Sequence, residues 1–183
     1  MRTFCFILGF AALAAGCAQP PVQEIAAAQS AIEAAVKAGA EEYADQDLRA
    51  ARDTLAVANT QVEAKDYKAA KLSALDAKAK ADAASAGVET GRARFKAGVE
   101  AKLAAAQPAL DEIEGLLAKS KSRKIEPLKQ EAGELKGELG AARAAYDAGK
   151  YKSALDKFQP LDLLLSNLKE RVEEAVRKGP KRK

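Results

Sequence analysis

Apolar residues recur at alternating steps of three and four along most of the chain, and that rhythm predicts helices. One stripe runs Leu128, Ala132, Leu135, Leu139, Ala142 and Tyr146. The next runs Tyr151, Ala154, Phe158, Leu161, Leu165, Leu168, Val172 and Ala175. Such spacing gathers apolar side chains on one face of a helix, where a partner helix covers them. An earlier pair repeats the scheme: Leu48, Ala51, Leu55, Ala58 and Val62 face Tyr67, Ala70, Ala74, Ala77, Ala81 and Ala84. Leu103, Ala106, Leu110, Ile113 and Leu117 supply a further stripe. No segment alternates with the period of two that a half-buried strand needs. The expectation is an all-α chain of elongated antiparallel helical hairpins packed as a coiled-coil-like bundle.

Turn signals divide the pattern into five helices. The first spans Pro21 to Ala38 and stops at Gly39. A polar loop, Ala40 to Ala44, precedes a second helix that opens at Asp45 as N-cap and ends at Ala64. The third runs from Tyr67 towards Lys119, weakened by Gly87, Gly91 and Gly98 and kinked or interrupted at Pro108. A loop from Ser120 to Glu126 leads to a fourth helix, Pro127 to Ala148, with proline in its first turn. The fifth covers Tyr151 to Lys178 and bends at Pro160. Links as short as Lys65-Asp66 and Gly149-Lys150 force the joined helices to lie antiparallel. The two corners also resemble each other. Glu63-Ala64-Lys65-Asp66-Tyr67-Lys68-Ala69-Ala70 parallels Asp147-Ala148-Gly149-Lys150-Tyr151-Lys152-Ser153-Ala154, which predicts a duplicated hairpin. The Ala-rich first seam lets helices approach closely but buries little area per residue. The Leu-rich second seam is expected to be the more stable. Heptad seams can also close between chains, so a homo-oligomer stays open.

Composition narrows the chemistry. The 183 residues include no His and no Trp, so Ser–His and Cys–His catalytic pairs are impossible. Ser166-Asn167-Leu168-Lys169 matches S-x-x-K, but its companion S-D-N and K-T-G motifs are missing. Glu41, Glu42, Asp45 and Asp47 cluster without the Gly and Glu of a calcium loop, and helix capping accounts for them better. The expectation is a protein without enzymatic activity, metal or other cofactor. The formal charge of +4 comes without basic runs interleaved with aromatics, so nucleic acid is not an expected partner.

The N-terminus specifies a location. Met1-Arg2-Thr3-Phe4 is followed by an apolar run to Leu13 and then by Ala14-Ala15-Gly16-Cys17. A basic start, a short apolar stretch and small residues make a secretory signal. The run is shorter than the roughly 20 residues a span needs. Ala14-Ala15-Gly16-Cys17 resembles the lipobox of bacterial lipoproteins, although Leu is commoner at the place of Ala14. That resemblance implies cleavage after Gly16, a diacylglyceryl group on the Cys17 thiol and usually an acyl group on its amine. It sets off a signal at 1–16 and a lipidated anchor at 17–20, and the helical pattern divides the rest into an Ala-rich hairpin domain at 21–119, a Leu-rich hairpin at 120–178 and a basic tail at 179–183. Ala18 after the cysteine, in place of Asp, implies the outer membrane facing the periplasm in a Gram-negative cell.

Two further resemblances concern the helices. Gly149, Tyr151, Ala154 and Phe158 resemble the second helix of a tetratricopeptide repeat, without its 34-residue period. From Gln23 to Ala86, Lys37-Ala38-Gly39-Ala40-Glu41-Glu42, Leu48-Arg49-Ala50-Ala51-Arg52 and the Lys65-Asp66-Tyr67 corner together resemble an uncharacterised domain of bacterial envelope lipoproteins. That family implies no established activity.

The expected function is that of a lipid-anchored structural spacer or scaffold in the cell envelope. An adaptor for an envelope protein complex is the alternative, with Leu163 and Leu164 beside Pro160 as its apolar surface. A third possibility is attachment to peptidoglycan through the tail, Lys181, Arg182 and Lys183, because some small outer-membrane lipoproteins end in Arg-Lys and are joined there.

Overall fold

A computed structural model describes residues 19–120 and 125–177. Six helices follow one another: α1 Val22–Ala38, α2 Ala40–Tyr43, α3 Asp45–Glu63, α4 Tyr67–Lys119, α5 Glu126–Asp147 and α6 Tyr151–Arg177. No strand occurs among the described residues. The 53-residue α4 is the spine, about 80 Å long at 1.5 Å per residue. Along its first half it packs with α1 and α3, and along its second half with α5 and α6.

The two halves have separate cores. The first is built almost wholly from alanine: Ala28, Ala35, Ala51, Ala58, Ala74, Ala77, Ala81 and Ala84 surround Ile32, Leu48, Leu55 and Val88. Small side chains let the backbones approach and give up little water-accessible area each. The second core holds Val99, Leu103, Leu110, Ile113, Leu117, Leu135, Leu139, Phe158, Leu161 and Leu168. Each large aliphatic side chain buried there contributes roughly 1.5–3 kcal/mol. Every predicted seam position is buried or half-buried within the one chain.

Ion pairs between helices report their directions. Lys71 meets Glu24 at 2.7 Å, which joins the beginnings of α4 and α1, so these helices are parallel. Lys102–Asp162 and Lys169–Glu112 likewise hold α6 parallel to α4. Lys136–Glu114 sets α5 antiparallel to α4, and Arg171–Glu131 sets it antiparallel to α6. The second half of α4 therefore does for α5 and α6 what α1 does for α3 and α4.

The corners repeat bond for bond. Lys65 N–H donates to Val62 O and Asp66 N–H to Gln61 O; Gly149 N–H donates to Tyr146 O and Lys150 N–H to Ala145 O. Both are Schellman closures, in which one residue turns left-handed to satisfy the last carbonyls of a helix. That residue is Gly149 at φ +73° in one corner and Lys65 at φ +61° in the other. Asp66 also caps α4, accepting the Ala69 N–H at 3.1 Å.

Several sequence expectations need correction. The loop proposed for Ala40 to Ala44 contains α2, and its Ala40 and Tyr43 are buried. Asp45 does not cap α3; Ala44 holds the cap position with no side-chain bond, and Asp45 pairs with Arg49 one turn on. Pro108 does not interrupt α4. Pro108 and Ala104 both lie on the exposed face, where water meets the carbonyl that proline leaves without an N–H. α6 likewise runs through Pro160. Gly91 is a contact point: a Cβ there would lie 2.0 Å from the Tyr43 carbonyl oxygen. The stretch expected as a loop from Ser120 to Glu126 includes Ile125, which is 1% exposed and closes the end of the second core.

Candidate functional site

The sequence pointed to three places. Cys17 and the tail residues Lys181, Arg182 and Lys183 lie outside the described residues. Leu163 and Leu164 lie on α6, 64% and 42% exposed, between the buried Leu161 and Leu165. They belong to no core, and no described side chain covers them.

The weaker chemical motifs resolve into ion pairs. Lys169, the amine of the S-x-x-K match, donates to Glu112 at 2.7 Å. That bond holds its pKa above the ordinary lysine value, which keeps the amine protonated. Glu41 pairs with Arg52 at 2.7 Å, and Asp45 with Arg49. Among the described residues no three His, Cys, Asp or Glu side chains come together in a way that could hold a metal ion. No described helix is long and apolar enough to cross a membrane.

Sequence reasoning missed the joint between the two halves. Between Val88, the last spine residue of the first core, and Val99, the first of the second, only Gly91 is fully buried. Aromatic side chains fill that gap. Tyr43 packs edge-on against Phe95 with centroids 5.9 Å apart. The Arg92 guanidinium stands 5.2 Å from the Tyr43 ring centre. From the other half, Tyr151 reaches the first core and also meets Tyr146, centroids 5.5 Å apart. Tyr43 OH donates to the Gly149 carbonyl at 3.5 Å, and Tyr146 OH donates to Glu100. Burial first, and the neighbouring Glu42 carboxylate second, raise the Tyr43 pKa. The bond to Glu100 pushes Tyr146 up to about 12. The corner tyrosine of the second hairpin thus does more than fill its own corner. The signal was available in the four aromatic residues crowded around the glycine-rich part of α4, but Tyr43 sat in a segment too short to show a period.

The two ends of the rod differ. α1 and α4 begin at one end, near Gln19, while α4 and α6 finish at the other, near Arg177. An open groove at the first end is lined by Pro20, Pro21, Val22, Tyr67, Lys68 and Lys71.

Neither a curated protein nor a solved structure is significantly similar to the chain. Residues 23–98, which cover the first bundle with Tyr43, Gly91 and Phe95 of the joint, match a family model described only as a domain of unknown function, DUF4398.

Proposed function

We propose that this protein is a lipid-anchored, non-enzymatic spacer of the bacterial cell envelope, attached to the outer membrane through Cys17 and extending into the periplasm. The observation that carries the reading is the polarity of the rod. Val22, five positions after Cys17, lies at one end of a spine about 80 Å long, and Arg177, which precedes the basic tail in sequence, lies at the other. An anchor and a contact group at opposite ends are what a spacer requires. Two or three acyl chains on Cys17 would hold it firmly, since each buried CH₂ contributes about 0.8 kcal/mol.

Replacing Cys17→Ser in cells, followed by membrane fractionation, tests the anchor. The expected result is a soluble protein or an uncleaved precursor; a cleaved protein still bound to membranes defeats the reading. In-cell crosslinking then separates the roles at the far end. Recovery of peptidoglycan and lipid alone supports the spacer, and deletion of Lys183 should then lower the amount retained on purified sacculi if the tail is the attachment.

The exposed pair Leu163 and Leu164 favours a second reading, an adaptor that recruits an envelope protein. Leu163→Glu with Leu164→Glu should abolish capture of a single crosslinked protein while helicity is retained.

A further inference from the structure

We propose that the end of the rod where α1 and α4 begin is a surface that rests on the headgroups and upper acyl region of a lipid bilayer. The inference builds on the lipid-anchor reading and adds a second, non-covalent contact to it.

Chain length brings this end to the membrane. Val22, the first residue of α1, lies five positions after Cys17, so a lipidated Cys17 keeps α1 within about 18 Å of the bilayer. The end that arrives there has an interfacial composition. Val22 is 69% exposed, Leu72 63% and Leu75 46%. On α4 the large exposed apolar side chains are Leu72 and Leu75 alone. The outward face continues with Ala79, Ala83, Ala86, Ala93 and Ala97, all exposed and small. On α4, large exposed apolar groups are thus confined to the turns nearest the anchored end. Lys68, Leu72 and Leu75 share that outward face at helical spacing. Leu72 lies about 7 Å and Leu75 about 12 Å beyond Tyr67 along the axis, the depth of the headgroup and upper acyl region.

The lysines mark the level of the headgroups. Lys65 stands at the tip of the corner and Lys68 is the second residue of α4, and neither is held in an ion pair among the described residues. Glu63 and Asp66 match them in number, Asp66 remaining charged while it accepts the Ala69 N–H, and Lys71 is held by Glu24. The corner therefore carries no net charge, and its contact with lipid rests on the apolar side chains. Long lysine stems place ammonium groups among phosphates while neighbouring apolar groups settle deeper. The rod then leans towards its α4 side.

The chain has no tryptophan and, from Cys17 onward, one thiol, which makes the test direct. The chain beginning at Cys17 is coupled through that thiol to a maleimide lipid in vesicles of phosphatidylcholine with 30% phosphatidylglycerol, some carrying brominated acyl chains. Leu72→Trp supplies the reporter and Leu163→Trp the control in the far bundle. Bromine should quench the tryptophan at 72 and leave that at 163 unaffected. Each basic group near an anionic surface biases contact about fivefold, so Lys65→Glu with Lys68→Glu should lower the contact equilibrium by more than tenfold, with helicity unchanged. An unquenched tryptophan at 72 overturns the proposal. So does quenching that is insensitive to the charge reversal in the phosphatidylglycerol vesicles. Because the anchor is made chemically, this result is independent of whether Cys17 is lipidated in cells; only the Cys17→Ser fractionation bears on that.

Discussion

Lys65 holds a left-handed conformation that an L side chain enters only at a cost of about 1–2 kcal/mol, while its counterpart Gly149 enters it freely. Lys65→Gly should therefore stabilise the protein by about 1 kcal/mol and Gly149→Ala should destabilise it by a similar amount, read as shifts in urea midpoint. Gly91 behaves in the opposite sense to an ordinary helix glycine. Replacing a mid-helix glycine by alanine usually gains up to about 1 kcal/mol, and Gly137 has open space around it for that gain. At Gly91 the new methyl would meet the Tyr43 backbone, so Gly91→Ala should cost about 1–3 kcal/mol and displace α2. Tyr146 gives a pH signature. Its folded pKa, about 12 through the bond to Glu100, exceeds the value near 10 of a free tyrosine. Its contribution is complete below pH 10 and is lost as pH rises towards 12. Tyr146→Phe should remove a tyrosinate absorbance step near pH 12 and flatten the alkaline loss of stability in that window.

At the level of the helices, the two cores have different failure modes. Leu110, 1% exposed and in the middle of the second core, leaves a cavity when shortened. Leu110→Ala should cost about 2–5 kcal/mol in thermal or denaturant unfolding. The alanine core has little to lose by shortening and little room for growth. The helices themselves were legible because the seams Leu128 to Tyr146 and Tyr151 to Ala175 each carry an unbroken three-four spacing that burial enforces on one face. The corners were legible because Lys65-Asp66 and Gly149-Lys150 leave no length for anything but a tight reversal. α2 was not, since four residues cannot display a helical period. Its existence depends on Tyr43 finding Phe95 and Gly91, residues far along the sequence. Pro108 was expected to break α4 because local propensity disfavours it, yet packing of Leu103, Ala106, Leu110 and Ile113 on both sides of it outweighs that penalty.

Seen as one molecule, the chain is a rod of two three-helix bundles threaded on a shared helix. Small-angle scattering of the monomer should give a maximum dimension of at least about 80 Å; a compact particle near half that length would contradict the tandem arrangement. The hairpins and their duplication were visible in the sequence, but the joint was not, because no local pattern states that Tyr151 of one bundle reaches the core of the other. The lipobox-like Ala14-Ala15-Gly16-Cys17 and the basic Lys181, Arg182 and Lys183 are read from residue identity alone.

The shared helix also carries a rule for growth. The ion pairs that align α6 with α4 place Tyr151 some 25 residues along the spine from Tyr67, a pitch of roughly 40 Å. α6 leaves the second bundle as α4 leaves the first, so one more copy of the hairpin unit would add one more pitch without a new kind of interface. Reach in such a chain is quantised: it changes by whole units through duplication, and point mutations inside a unit alter its stability while leaving its length alone.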